Sequence, residues 1–306
     1  MSPHVLAYLR LLRLPTVFTA LADIFLGYLL KHSALISDDG SNPLPSFLML
    51  CLASAGLYLS GMVFNDYFDR LIDAQERPDR PIPAGVISPA SAFRLALALM
   101  LIGLVAAGCV GVPSLLVAVG LSALVLGYDG GLKNTPLGPL VMGSCRVGNV
   151  LLGASAVASV GNVFQSPQLP IALGLGTYIV GVTLFARQEA TVSRRGALLE
   201  AAVVINLGVV ALAMFVNKST VVPPEHRLPA LGILAMILFT LDRRLAVAIT
   251  QPTPAVVQVA IKVLLLSLVV LDATLVYAFN GNTEMAMATV ALLIPAVGLS
   301  RLIAMT

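Results

Sequence analysis

The chain alternates long apolar stretches with short polar connections. Ten apolar stretches approach the roughly 20 residues that an α-helix needs to cross a bilayer. Charged residues collect mainly between them, where a membrane chain returns to water. This pattern predicts an all-α, polytopic membrane helical bundle that forms one domain over residues 1–306. The predicted spans are 15–31, 46–64, 92–112, 114–128, 138–160, 168–186, 197–217, 228–248, 262–280 and 284–304.

Composition excludes an ordinary soluble domain. Hydrophobic residues make up 58% of the chain and charged residues only 11%, with a mean hydropathy of +0.96. Soluble domains carry about 25% charged residues. We therefore expect an integral membrane protein in contact with lipid, and we do not expect nucleic acid as a partner.

Lysines and arginines in short connections predict the orientation, because they accumulate on the cytoplasmic side. With the N-terminus inside, three of the 18 basic residues face out (Lys31, Lys218 and Arg227), and Arg146 lies within a span. The other fourteen face the cytoplasm: Arg10, Arg13, Arg70, Arg77, Arg80, Arg94, Lys133, Arg187, Arg194, Arg195, Arg243, Arg244, Lys262 and Arg301. The sequence thus predicts a cytoplasmic N-terminus and cytoplasmic polar clusters.

One polar stretch stands out, from Asn65 to Gly85. Its acids Asp66, Asp69 and Asp73 have the spacing i, i+3 and i+7, which places them on one face of a helix. Carboxylates repel one another unless a cation lies between them, and Mg²⁺ is commonly bound by one or two carboxylates plus substrate phosphates. Nearby arginines suit phosphate oxygens. The spacing therefore favours half of a Mg²⁺–diphosphate site, and the alternative is a solvated loop.

The same stretch resembles the first Asp-rich motif of the UbiA superfamily of intramembrane prenyltransferases. The resemblance is carried by Asn65-Asp66-x-x-Asp69-x-x-x-Asp73, followed by Arg77-x-x-Arg80-Pro81-Ile82-Pro83-Ala84-Gly85. It covers most of the chain, from Arg13-x-Pro15 to about residue 280, and within the superfamily the UbiA-like branch called EboC is the most similar. The family has nine spans, so segment 284–304 is an addition or an interfacial helix. We predict nine to ten helices around a central cavity.

The resemblance implies an enzyme that transfers alkyl or aryl groups other than methyl. Its substrates would be a prenyl diphosphate and a lipophilic acceptor, often aromatic, with Mg²⁺ as cofactor. Asp66, Asp69 and Asp73 would hold the metal. Asp66, Asp69 and Asn65 would be the catalytic residues, with Asn65 orienting a carboxylate or the substrate.

Further substrate-binding residues are predicted elsewhere in the chain. Tyr128 to Lys133 resembles a Tyr-x-x-x-Lys-type loop of the family, and a lysine there suits phosphate. Arg146 lies inside an apolar span with Asn149 on the same face, so it needs partners or water. It either forms a salt bridge with Asp23 or Asp272, or faces the cavity near the diphosphate. The predicted substrate-binding residues are Arg77, Arg80, Tyr128, Lys133, Arg146, Asn149, Arg187 and Glu189.

The 187–196 loop departs from the family pattern. The family carries a second Asp-rich motif that holds a second Mg²⁺, whereas this loop has one acid, Glu189, and three arginines. The arginines replace the charge of the second metal, or the site no longer ionises a diphosphate. The second possibility motivates an alternative function, a non-catalytic membrane binder or carrier of an isoprenoid or similar lipid. A third alternative, an ion-coupled transporter, would use Asp23, Arg146 and Asp272 as charges inside the membrane.

Overall fold

The computed structural model describes residues 3–32, 34–35, 43–189 and 191–300. Within them the chain forms twelve α-helical segments, joined by turns and three short 3₁₀ helices at Leu14–Thr16, Leu132–Asn134 and Val160–Phe164. The α-helices are α1 Pro3–Leu11, α2 Val17–Leu29, α3 Leu44–Glu76, α4 Pro89–Val110, α5 Val112–Asp129, α6 Gly138–Gly153, α7 Gln168–Ala186, α8 Arg195–Lys218, α9 Pro224–Thr250, α10 Pro254–Asn280, α11 Thr283–Ala291 and α12 Leu293–Ser300. The predicted all-α class is confirmed.

The number of spans differs from the predicted nine to ten. Seven helices of the described chain are long and apolar enough to cross a membrane, or eight if the bent pair α1 and α2 makes one span. Two predicted spans are absent from that count. The first, 138–160, corresponds to the 16-residue α6, and the second, 228–248, to α9, which carries Asp242, Arg243 and Arg244. Segment 284–304 is broken into α11 and α12, and its last four residues lie outside the described part, as does Arg301.

Helix α3 extends the second predicted span by three turns and carries the Asp-rich motif. It runs to Glu76, so Asp66, Asp69 and Asp73 all lie on one continuous helix. The helical register predicted from their spacing is confirmed. The helix ends at Arg77, before the Pro-rich segment, because proline disfavours helical backbone at the residue that precedes it.

The bundle has two apolar cores that share α2 and α6. One core is formed mainly by α7 to α10 and the other by α3 to α5. On α2, Leu26 belongs to the first core and Ile24 to the second, and on α6 the same division separates Val150 from Leu152. These two helices therefore form the wall between the two halves of the bundle.

Glycines allow α2 and α6 to pack closely. A Cβ added to Gly153 would lie 2.8 Å from the Ile24 carbonyl oxygen, and one added to Gly27 would collide with the Val150 carbonyl oxygen. Small residues permit such close approach between membrane helices. The wall between the two cores therefore depends on these glycines.

We expect Gly153→Ala to destabilise the protein by about 1–3 kcal/mol, because the new methyl group meets backbone atoms that cannot move aside. Thermal unfolding of the purified protein in detergent measures the effect. Gly120→Ala on α5 is the matched control, since a Cβ there meets nothing within 4 Å and alanine favours helix. Equal melting temperatures for the two variants would contradict the close packing of α2 and α6.

Candidate functional site

A cavity of about 360 Å³ lies between the two cores. Helices α2, α3, α5, α6, α7 and α10 line it, together with Arg13 and Thr16 at the entrance to α2. Leucine, valine, isoleucine and alanine make up much of the wall, and polar side chains gather at two levels. The predicted central cavity is therefore present among the described residues.

The first polar level is the acidic face of α3, where each acid is paired with a basic residue. Asp66 Oδ1 accepts hydrogen bonds from Arg13 Nη2 at 2.8 Å and Arg80 Nη1 at 3.2 Å. The same Arg80 nitrogen donates to Asp73 Oδ2 at 2.6 Å. The side chain of Asp66 is only 6% exposed. Asp66 and Asp73 thus converge on one positive group.

The third acid, Asp69, turns toward α5. Its Oδ1 lies 2.7 Å from Lys133 Nζ, in the 3₁₀ turn that follows α5. Next to it, Asn65 Nδ2 donates a hydrogen bond of 3.1 Å to Asp129 Oδ1. The structure therefore joins the Asp-rich motif to the Tyr128–Lys133 segment, and Tyr128, Asn65 and Asp129 all line the cavity.

Two residues of this site were not among the predicted site residues. Asp129 lies within the predicted Tyr128–Lys133 loop, and Arg13 belongs to Arg13-x-Pro15 and to the basic residues predicted to face the cytoplasm. Arg13 has left-handed backbone angles, φ 44° and ψ 46°, and is the one non-glycine residue with positive φ in the described chain. This conformation is costly for a residue with a Cβ and is often retained at functional sites. Here it accompanies the ion pair with Asp66.

The 187–189 segment lies beside the site with different contacts. Glu189 Oε1 lies 3.9 Å from Arg77 Nη2, and Arg187 Nη2 donates a hydrogen bond of 2.6 Å to the Thr135 carbonyl oxygen. Arg187 is exposed. A buried acid beside the Asp-rich motif is instead supplied by α5, since Asp129 is 5% exposed and accepts a hydrogen bond from Asn65.

The second polar level lies deeper in the bundle. Arg146 Nη1 lies 2.7 Å from Asp23 Oδ2, so the predicted salt bridge to Asp23 is present, and Arg146 also lines the cavity. Asn149 accepts a hydrogen bond from Ser54. Ser54 precedes Asp66 by twelve residues on α3, about 18 Å at 1.5 Å per residue.

The donor set fits Mg²⁺ only if a ligand completes the coordination. In the described chain, no three His, Cys, Asp or Glu side chains are gathered closely enough to hold a metal by themselves. Asp66 and Asp73 nevertheless present oxygens to one cationic point, the Arg80 guanidinium. Two carboxylates plus phosphate oxygens are a common way to bind Mg²⁺. The residues therefore fit a metal that is shared with a diphosphate.

The family of the protein follows from its sequence as a whole. Residues 24–305 match the model of the UbiA prenyltransferase family. The chain belongs to this family. With its apolar helices, this UbiA family member is an integral, multi-pass membrane protein. Its assignment to the EboC branch and the side of the membrane on which it begins stay predictions.

Relatives of this UbiA protein include digeranylgeranylglyceryl phosphate synthases of archaea. The one from Methanopyrus kandleri is 36% identical over 151 residues, which are 49% of this chain and 53% of the relative. The one from Methanospirillum hungatei is 34% identical over 166 residues, 53% of each chain. The chain thus spans about half the length of the curated relatives it matches.

Solved structures share the fold at low identity. An apo UbiA homologue from Aeropyrum pernix superposes with a TM-score of 0.64 at 19% identity, over 85% of this chain and 94% of that one. A UbiA homologue from Archaeoglobus fulgidus bound to GPP and Mg²⁺ superposes with a TM-score of 0.57 at 16% identity, over 84% and 98%. At these identities the likeness establishes the UbiA fold of this chain.

Proposed function

We propose that this UbiA family member transfers a prenyl group from a prenyl diphosphate to a lipophilic acceptor, with Mg²⁺ at the first Asp-rich motif. The observation that carries the proposal is the pairing of this motif with basic residues, next to an apolar cavity that Arg13 and Asn65 line. The Archaeoglobus fulgidus homologue, which binds GPP and Mg²⁺, supports the same substrate class. An aromatic acceptor is part of the proposal.

The charges at the motif balance one another, which explains why a metal would be needed to bind a diphosphate. Three carboxylates, Asp66, Asp69 and Asp73, are paired with three basic side chains, Arg13, Arg80 and Lys133. These six groups leave no surplus positive charge for a diphosphate. Bound Mg²⁺ supplies that charge and stabilises the leaving diphosphate. On this proposal Asp66, Asp69 and Asp73 hold the metal.

The basic residues then become available to the phosphates. When the carboxylates bind a metal, Arg13, Arg80 and Lys133 can donate to phosphate oxygens instead, as arginine and lysine commonly do. Arg77 and Arg187 would add further positive charge for the substrate, and Glu189, which lies 3.9 Å from Arg77, would hold Arg77 in place as the other member of this predicted substrate-binding group. Asn65, held by Asp129, keeps its amide fixed beside Asp66.

The apolar cavity protects the reactive intermediate. Loss of diphosphate leaves an allylic cation, which water would quench. Leu57, Val125 and Leu268 are among the apolar residues that line the cavity, and exclusion of water prevents such side reactions. A lipophilic acceptor that enters the cavity from the membrane is then the available nucleophile.

Diphosphate release tests the proposal. Purified protein in lipid receives labelled GPP or DMAPP, with a pool of aromatic and glyceryl lipid acceptors. We expect release that falls at least about 100-fold when EDTA removes Mg²⁺, because the metal contributes several kcal/mol to stabilisation of the transition state. Saturable, Mg²⁺-dependent binding without release under any acceptor would overturn transferase activity and favour the carrier function.

A further inference from the structure

A buried polar cluster closes the inner level of the cavity. It consists of Asp23 on α2, Ser54 on α3, Arg146 and Asn149 on α6, and Asp272 on α10. Asp23 Oδ2 lies 2.7 Å from Arg146 Nη1 and accepts a hydrogen bond of 2.7 Å from Asn149 Nδ2. Asn149 Oδ1 in turn accepts a hydrogen bond of 2.7 Å from Ser54. Side chains from four helices therefore form one polar cluster, which lies between the two apolar cores.

Arg146 has hydrogen-bond donors left over. Its Nη1 pairs with Asp23 and donates to the Thr19 carbonyl oxygen. Its Nε and Nη2 are buried and have no hydrogen-bond partner among the described residues. The side chain is only 8% exposed, yet it lines the cavity. Unpaired buried donors are costly, so a ligand oxygen in the cavity would satisfy them.

The charge of the cluster limits which oxygen can bind. Asp272 is fully buried, and its carboxyl group lies beside that of Asp23. One guanidinium thus faces two carboxyl groups, so the cluster carries no net positive charge. A carboxylate or phosphate would lose its hydration without gaining a surplus positive partner. A neutral carbonyl or hydroxyl oxygen can accept from Arg146 at a lower cost of desolvation.

We propose that Arg146 binds a neutral oxygen-bearing group, a carbonyl or a hydroxyl, of the lipophilic acceptor. This inference rests on the proposed transferase function. The subsite is separate from the diphosphate level, because Asn149 contacts Ser54, twelve residues before Asp66, or about 18 Å along α3. The part of the acceptor that contacts Arg146 is thus an uncharged oxygen, such as the hydroxyl of an alcohol or the carbonyl of a ketone or a quinone-like compound.

Competition binding in lipid tests this subsite without any transfer reaction. Radiolabelled 1-dodecanol is bound to the protein in phosphatidylcholine nanodiscs, with empty nanodiscs subtracted. It is then displaced by unlabelled 2-dodecanone, dodecanoate, dodecyl phosphate or dodecane. We expect 2-dodecanone to compete as well as 1-dodecanol, and the two anions and dodecane to bind at least about tenfold more weakly, as expected when a hydrogen bond to a charged donor is lost or a charge is poorly paired. Equal competition by dodecane, or stronger competition by either anion, would overturn the proposal.

Two variants assign the binding to Arg146. The double variant Asp23→Asn with Arg146→Gln removes both charges of the Asp23–Arg146 pair, so Asp272 is the one carboxyl group left in the cluster. Arg146→Lys keeps the pair with Asp23 but removes the planar guanidinium with its two free donors. Each is expected to lower 1-dodecanol affinity about tenfold, and unchanged affinity in a folded variant contradicts the assignment. Asp66→Asn is the control that separates the two proposals. It should abolish diphosphate release and keep 1-dodecanol binding, and a wild-type protein that binds 1-dodecanol through Arg146 without releasing diphosphate would refute the transferase and leave this subsite standing.

Discussion

Asp66→Asn is expected to slow Mg²⁺-dependent diphosphate release by about 10²–10³-fold, the usual effect of removing one electrostatic contact from a water-excluded site. The reason is its central position, since Arg13 and Arg80 both bind the same Asp66 oxygen. The asparagine amide is neutral. The variant therefore binds Mg²⁺ more weakly and removes a negative charge that Arg13 and Arg80 contact. The measurement is kcat/KM for labelled GPP with saturating Mg²⁺.

Glu76→Gln is the matched control for Asp66→Asn. Glu76 is also an acid on α3, but it is exposed at the last turn of the helix. Its activity should stay within about twofold of the wild type, because exposed charges contribute little. Activity in Asp66→Asn equal to that of Glu76→Gln would remove the Asp-rich motif from the mechanism.

Arg146→Leu is expected to destabilise the protein by about 3–5 kcal/mol, the usual effect of removing one partner of a buried ion pair. Asp23 and Asp272 are both fully buried, and the variant leaves their carboxyl groups without a counter-charge. Thermal unfolding in detergent with a fixed lipid content measures the loss. The same change at an exposed arginine, Arg94→Leu on α4, should be nearly neutral.

A double variant separates charge from packing in this cluster. Asp23→Asn combined with Arg146→Leu should recover part of the stability lost in Arg146→Leu, because one of the two carboxyl groups without a counter-charge is removed while the cavity in the packing remains. If the double variant is as unstable as the single one, the loss comes from packing of the arginine stem and the ion pair contributes little.

The site residues show how far local pattern carries a prediction. The i, i+3, i+7 spacing of Asp66, Asp69 and Asp73 was sufficient to place them on one helical face, because the spacing of a helix is a local property. Their partners were not predictable in this way. Arg13 precedes Asp66 by 53 residues and Lys133 follows Asp69 by 64, so only the packing of α2 and α5 against α3 brings these charges together.

The number of membrane spans could not be predicted from apolar length alone, for a related reason. Apolar length located the helices from α2 onward, but α6 is shorter than the predicted 138–160 because it ends at Gly153. Its burial in the wall of the bundle, rather than its own length, holds it in place. Likewise α9 continues for six residues beyond its charged positions Asp242, Arg243 and Arg244, and a window that measures only hydropathy cannot tell where such a helix meets the interface.

The sequence by itself determined the all-α membrane class and the helical face of acids on α3, because apolar length and short-range periodicity are local properties of the chain. It also determined membership of the UbiA family. The tertiary structure decided which charges meet. It placed Asp129 with Asn65 beside the Asp-rich motif and joined Asp23, Arg146 and Asp272 deeper in the bundle. These contacts join helices that are far apart in sequence, and a buried charge is retained only where folding brings its partner within reach.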